Sequence, residues 1–183
     1  WATSAELSQT VGVAPRWELA SQHPVACFDW LVEAGVDPDD GLEYMYVAGC
    51  ETQSIYRYDP RRDTWSTLAG TLPAILGHAG DGATYEGRIY ARSDGQHSSR
   101  RLYVYDIAAD AWSAREMPWN IVDRQWYEAV ELGGHVYFLG GQYTSGGSSR
   151  TVDRFDPLTG AWESMAPMLH PRAMAMAWAH EGK

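Results

Sequence analysis

Three ten-residue windows of this chain align without gaps: Tyr56–Trp65 (YRYDPRRDTW), Tyr103–Trp112 (YVYDIAADAW) and Asp153–Trp162 (DRFDPLTGAW). Each carries an aromatic residue, an Asp, a turn segment, and a Trp six residues after the Asp. The three tryptophans lie 47 and 50 residues apart, and Trp17 stands 48 before the first. A second spacing agrees, because Trp65 to Tyr90 and Trp112 to Tyr137 are both 25 residues. Upstream of each window runs a short strand-like segment: Tyr44–Cys50, Arg88–Ser93 and His135–Gly141. A period near 50 with four strand signals per unit marks the blade of a β-propeller. The chain also has 18 Gly, 9 Trp and 11 Tyr against 3 Phe, which suits short strands and tight turns better than a helical bundle.

Each unit reads as four antiparallel strands, A to D from the central channel outward. The first blade, 24–70, places them at Val25–Val32, Tyr44–Gly49, Ile55–Tyr58 and Thr64–Leu68. The second, 77–118, uses Gly80–Tyr85, Ile89–Arg92, Leu102–Tyr105 and Ala111–Ala114. The third, 125–168, uses Tyr127–Leu132, Val136–Leu139, Val152–Phe155 and Ala161–Ser164. Residues 1–23, with Arg16-Trp17, read as the end of a preceding blade, and 172–183, with Ala173–Ala179, as the first strand of a following one. Three blades and a stray strand at each end do not close a ring, so the expectation is about half of a six-bladed propeller. Asp59-Pro60, Asp106 and Asp156-Pro157 open the C–D turns, Asp capping the following N–H groups. The Trp opening each D strand is expected to wedge between adjacent blades, its N–H on a backbone acceptor.

A Tyr/Phe-Asp-Pro turn, a B strand ending in glycine (Gly140-Gly141, Gly49, a displaced Gly95) and a Trp at fixed distance make the chain resemble the kelch repeat over residues 24 to 180. The third unit, with Trp162-Glu-Ser-Met-Ala-Pro-Met and then Arg172, is most similar to the animal kelch-like proteins. Ala48-Gly49-Cys50 and Ala91-Arg92-Ser93 depart from the double glycine, and Ile107 replaces the turn proline. The resemblance implies a substrate receptor of a cullin-RING ubiquitin ligase, with the cullin bound through a domain outside these residues. Alternatives within the fold are an actin-binding scaffold and an enzyme acting on a small sugar.

Chemistry is sparse. The six histidines show no i, i+4 or HxH spacing, so no metal site is expected. No nucleophile elbow, Walker or dinucleotide motif occurs, and no cofactor is called for. Gly140–Gly147 joins two strands and reads as a flexible connection; Asp39-Asp40 reads as turn capping. The net charge of −10 excludes a nucleic-acid surface, and no apolar run is long enough to cross a membrane. Cys27 and Cys50 read as reduced structural thiols, which with the missing secretory signal points to the cytoplasm.

Binding is the remaining expectation. The D–A and B–C connections open on one face, where recognition concentrates on rigid scaffolds. They are Ser21–Pro24, Ala69–Gly77, Glu116–Gln125 and Met168–Arg172, with Glu51–Ser54, Ser93–Arg100 and Gln142–Arg150. Trp119, Trp126, Tyr143, Arg124 and Arg172 are candidate partner-binding residues, aromatic rings and Arg being the composition of interaction hot spots. Ser93 and His97 join them from a long polar loop, whereas Tyr127 reads as packing. In kelch-like proteins, arginines at the position of Arg124 and Arg172 line the central opening and grip acidic groups of a peptide. Gly77 interrupts that series here.

Overall fold

The computed structural model describes residues 20–25, 30–49, 52–73, 81–92, 100–121 and 124–180. Twelve strands form three four-stranded antiparallel sheets, each a meander in chain order. The first holds β1 (Trp30–Asp37), β2 (Leu42–Gly49), β3 (Ser54–Asp59) and β4 (Thr64–Thr71). The second holds β5 (Ala83–Tyr85), β6 (Arg88–Arg92), β7 (Arg101–Asp106) and β8 (Ala111–Glu116). The third holds β9 (Glu128–Leu132), β10 (His135–Leu139), β11 (Val152–Phe155) and β12 (Trp162–Ser164). The described residues contain no helix, and the inner strands β1, β5 and β9 approach one another. These are successive propeller blades.

Alternation along the second sheet explains how blades stack. On β6 and β7, Ile89, Ala91, Tyr103 and Tyr105 face the first sheet and share a core with Leu31, Tyr46 and Ile55. Their neighbours Tyr90, Leu102 and Val104 face the third sheet and join Ala129, Val136, Phe138 and Phe155. Strands covered on both faces read as continuous apolar runs, while the outer β8 alternates. Each repeated Trp meets the aromatic ring of its own C strand at nearly constant separation. Tyr58–Trp65, Tyr105–Trp112 and Phe155–Trp162 lie 4.9, 5.1 and 5.0 Å apart. Trp112 and Trp162 pack on the two inter-sheet cores, so the wedge role holds. The N–H expectation holds for Trp65, which donates to the Ser21 carbonyl at 3.0 Å. It fails for Trp112, whose buried Nε1 has no acceptor among the described residues.

The turn Asp does as expected: Asp59, Asp106 and Asp156 accept from the amides of Arg61, Ala109 and Leu158. A second Asp, two residues before the Trp, ties sheet to sheet. Asp110 accepts from the amides of Ala69 and Gly70 and from the Tyr105 hydroxyl. Asp63 does the same with the amide of Ser21 and the Tyr58 hydroxyl. Ser21 and Ala69 each lie four residues after a Trp, so the latch repeats with the period. The third unit lacks both partners together, having Phe155 and Gly160 there.

Two strand expectations are corrected. The first A strand is Trp30–Asp37, not Val25–Val32, because the turn Asp37–Gly41 closes the hairpin later than read. Asp37 and Asp40 cap the amides of Asp39 and Leu42, and pairing then runs back from Asp37↔Leu42 to Trp30↔Gly49. Ala173–Ala179 forms no ladder strand. It is tied by Met174 N–H to the Trp126 carbonyl and by Ala177 N–H to the Glu128 carboxylate. Ile107, at the expected turn proline, is buried between sheets against Gly35 and Tyr46. The regions around Trp17, Cys27, Cys50, Gly77, Ser93 and His97 lie outside the described residues.

Candidate interaction face

The double glycine after β10 organises the loop face of the third sheet. Gly140 and Gly141 have φ of +60° and +92°, a region costly for residues with a side chain. A Cβ on Gly140 would stand 2.5 Å from the Arg172 carbonyl, and one on Gly141 2.8 Å from that of Gln125. With no side chains in the way, three segments close on one another. Gly141 N–H donates to Arg172 O and Arg172 N–H to Ser149 O, both at 2.8 Å. Gln125 and Gln142 exchange backbone hydrogen bonds at 3.0 and 2.7 Å. Gly140–Gly147 is therefore pinned at both ends, and the flexible-connection reading is corrected.

These bonds gather Trp126, Tyr143 and Arg172. Trp126 holds φ of +52°, an uncommon value for a large side chain. The Tyr143 hydroxyl accepts from Ser149 Oγ at 3.0 Å. Arg172 is exposed, and its guanidinium has no hydrogen-bond partner among the described residues. Trp119 stands on the neighbouring D–A loop and is 84 % exposed. That loop is anchored by buried Ile121 and by Arg100, which donates to the carbonyls of Pro118 and Ile121. Leu169, not among the residues singled out from the sequence, is also exposed beside Arg172. An apolar residue in a turn of polar residues and proline was the available signal.

Arg124 is corrected. It is fully buried, and its guanidinium shares Asp153 with equally buried Arg92, at 2.5 and 3.2 Å. Further donations reach the Thr151 carbonyl and Ser149 Oγ. Burial, then the charge of Arg92, pushes its pKa down to about 10, leaving it cationic at neutral pH. Two arginines around one carboxylate hold the end of β6 to β11 and to the entry of β9. The Tyr127 hydroxyl closes the same junction, accepting from Arg92 N–H and donating to its carbonyl. Arg92 was legible only as an oddity, a charged residue where the repeat expects glycine.

Around the inner strands, Glu33, Asp81 and Glu128 line a cavity of about 420 Å³ with Trp178. Burial, then the Asp81 charge, raises the Glu33 carboxyl to about 8, and burial also raises Asp81 and Glu128. Among the described residues no group of three or more His, Cys, Asp or Glu is placed to hold a metal ion, and no helix could cross a membrane.

Stacked four-stranded antiparallel sheets of this kind define a β-propeller. The kelch motif matches residues 127–169. Kelch-like protein 36 of Bos taurus is 29 % identical over 71 % of this chain and 22 % of its own length. Kelch-like protein 34 of Homo sapiens is 35 % identical over 65 % of this chain and 19 % of its own. The solved structure of YjhT superposes with a TM-score of 0.59 at 15 % identity, over 86 % of this chain and 57 % of that one, which supports the fold alone. The chain carries a kelch motif and is similar to the animal kelch-like proteins; it spans about a fifth of the length of the curated relatives quoted.

Proposed function

We propose that the face carrying Trp119, Trp126, Tyr143, Leu169 and Arg172 binds a protein or peptide. The observation that carries this reading is the exposed Trp119, Leu169 and Arg172, with half-buried Trp126 and Tyr143 beside them, on loops whose backbone is held by hydrogen bonds. Such a surface loses little conformational freedom on docking, and exposed aromatic and Arg side chains supply most binding energy. Ser93 and His97, which lie outside the described residues, join these as candidates from the sequence. The finer reading is the substrate-recognition module of a cytoplasmic cullin-RING ubiquitin-ligase adaptor, without catalytic activity of its own. The cullin would be held by a domain outside these residues. The names of the relatives support this over a sugar enzyme, for which Glu33, Asp81 and Glu128 around the inner-strand cavity would be the candidate centre.

The test uses full-length protein immunoprecipitated from cells as wild type, Trp119→Ala and Arg172→Ala. Cullin should be retained in all three, while client proteins are lost from the variants and persist longer in the cell. Clients captured equally by the variants, or wild type without cullin, would overturn the reading. Arg124→Ala is the contrasting variant. It leaves buried Asp153 with one arginine and should cost about 3–5 kcal/mol of stability, seen as a lowered melting temperature.

A further inference from the structure

Two interfaces between sheets follow one rule, and the open face of the third sheet repeats half of it. On β2 and β6, Tyr46 and Tyr90 meet the C-strand ring of the next sheet, Tyr105 and Phe155, at 6.0 and 5.9 Å. Directly across the ladder from each tyrosine stands Arg57 in the first sheet and Val104 in the second. What faces these residues changes with them. Arg57 confronts Tyr105 and Asp110, themselves hydrogen-bonded at 2.7 Å, around a cavity of about 190 Å³. Val104 shares its core with Phe155, and Gly160 takes the place of Asp110. An arginine is met by a tyrosine–aspartate pair, a valine by a phenylalanine–glycine pair. The physical reason is that a guanidinium enclosed between sheets needs acceptors on the opposite wall, which an apolar wall does not offer.

The third sheet pairs Tyr137 with Arg154, as the first pairs Tyr46 with Arg57. In both, the guanidinium faces the phenol and forms an ion pair with one carboxylate of its own sheet, Glu163 or Asp37. An arginine has five N–H donors, so others remain for an opposite wall. Tyr46 and Tyr90 are 2 and 4 % exposed, whereas Tyr137 is only half-buried, with no C-strand ring of a following sheet over it among the described residues. The inner position of such a sheet is already filled. Ala177 lies 48 residues after Ala129, which lies 47 after Gly82. Small residues there let an inner strand approach the preceding sheet: a Cβ on Gly82 would stand 2.3 Å from Leu31, and Ala129 is buried against the second sheet. Ala177 N–H is tied to Glu128 of β9 at 3.0 Å.

We propose that the Tyr137–Arg154 face is covered by a further four-stranded unit of the same polypeptide, with Ala173–His180 in its inner position and a tyrosine–aspartate pair against Arg154. The pair is a C-strand Tyr with an Asp five residues later, as in Tyr58–Asp63 and Tyr105–Asp110. A unit of the phenylalanine–glycine kind would set Arg154 against an apolar wall. A second copy of this chain also offers such a pair, Tyr58–Asp63, but Ala173–His180 stands where its inner strand β1 would have to lie.

The test uses full-length protein carrying Arg154→Lys together with Glu163→Gln, which removes the neighbouring carboxylate from competition. A water-soluble carbodiimide joins the introduced amine to a carboxylate in contact with it, and mass spectrometry reads the linked peptide. The expected link is to an Asp five residues after a Tyr, in a unit beyond position 183 of the same chain. Mixing heavy-nitrogen and unlabelled protein separates links within a chain from links between chains. A link between chains would make a second copy the occupant, and a link only to Asp156, or none, would leave Arg154 with no acidic wall; each overturns the proposal. Hydroxyl-radical footprinting of the wild type keeps the test decisive if the double variant does not fold. Tyr137 should be modified as slowly as Tyr90, and modification several-fold faster would mean that no sheet covers it.

Discussion

Glu33 shows how a single side chain is reset by its place in the ring of inner strands. An isolated glutamate ionises near 4.5, but here burial and the facing carboxylates of Asp81 and Glu128 move it to about 8. Thr84 donates to it and opposes the shift only in part. A raised folded-state value means that folding takes up a proton. The stabilisation is complete below about 4.5 and is lost as pH rises through about 8. Glu33→Gln should therefore flatten the melting temperature between pH 5 and 8, raising it by a few degrees at pH 8; calorimetry across that range is the check. An unchanged slope would mean that Glu33 is already ionised at neutral pH. The latch aspartates were equally hidden in the sequence, since Asp63 and Asp110 resemble ordinary turn residues until the amides they cap are seen to come from the preceding segment.

At the scale of the element, the connection between β10 and β11 is better regarded as part of the scaffold than as a loop. Its glycines allow carbonyls of Arg172 and Gln125 to come within reach of its backbone. Gly141→Ala combines a positive φ with a backbone clash, and should cost about 1–3 kcal/mol. It should also speed amide exchange at Gln125, Gln142, Ser149 and Arg172, which hydrogen exchange would register residue by residue. If exchange rises only at position 141, the three segments are held independently. The glycine pair was visible in the sequence and its purpose was not, because purpose here lies in what approaches the glycines. The same limit displaced the first A strand. Pattern alone did not reveal that four residues after Asp37 suffice to reverse the chain.

For the whole molecule, stability resides between sheets as much as within them. No sheet has a closed core of its own; each of the two large clusters is assembled from neighbouring blades. Trp112→Ala removes a ring packed on the first of these and should cost about 3 kcal/mol. Denaturation followed by the exchange of amides in both flanking sheets should show the loss on either side of the gap. Loss confined to the second sheet would make each blade an independent unit. The rim inherits its rigidity from the same arrangement. Trp126, Tyr143 and Arg172 come from segments up to 46 residues apart in the chain, joined by the bridges Gln125↔Gln142 and Ser149↔Arg172.

The sequence alone determined that the chain makes four-stranded units of constant length. Ring spacing, strand alternation and turn-forming Asp are local, and each copy restates the others. It also singled out Trp119, Trp126, Tyr143 and Arg172 as candidates, because large rings and arginine in loop positions are unusual in composition. Only the tertiary structure decided which arginine faces water. Arg124 and Arg172 occupy matching places in the repeat, yet Asp153 and Arg92 enclose the first and nothing among the described residues encloses the second. Solvation of a charge depends on which neighbours the fold brings to it, and those neighbours lie on other strands, outside any window of sequence around the arginine.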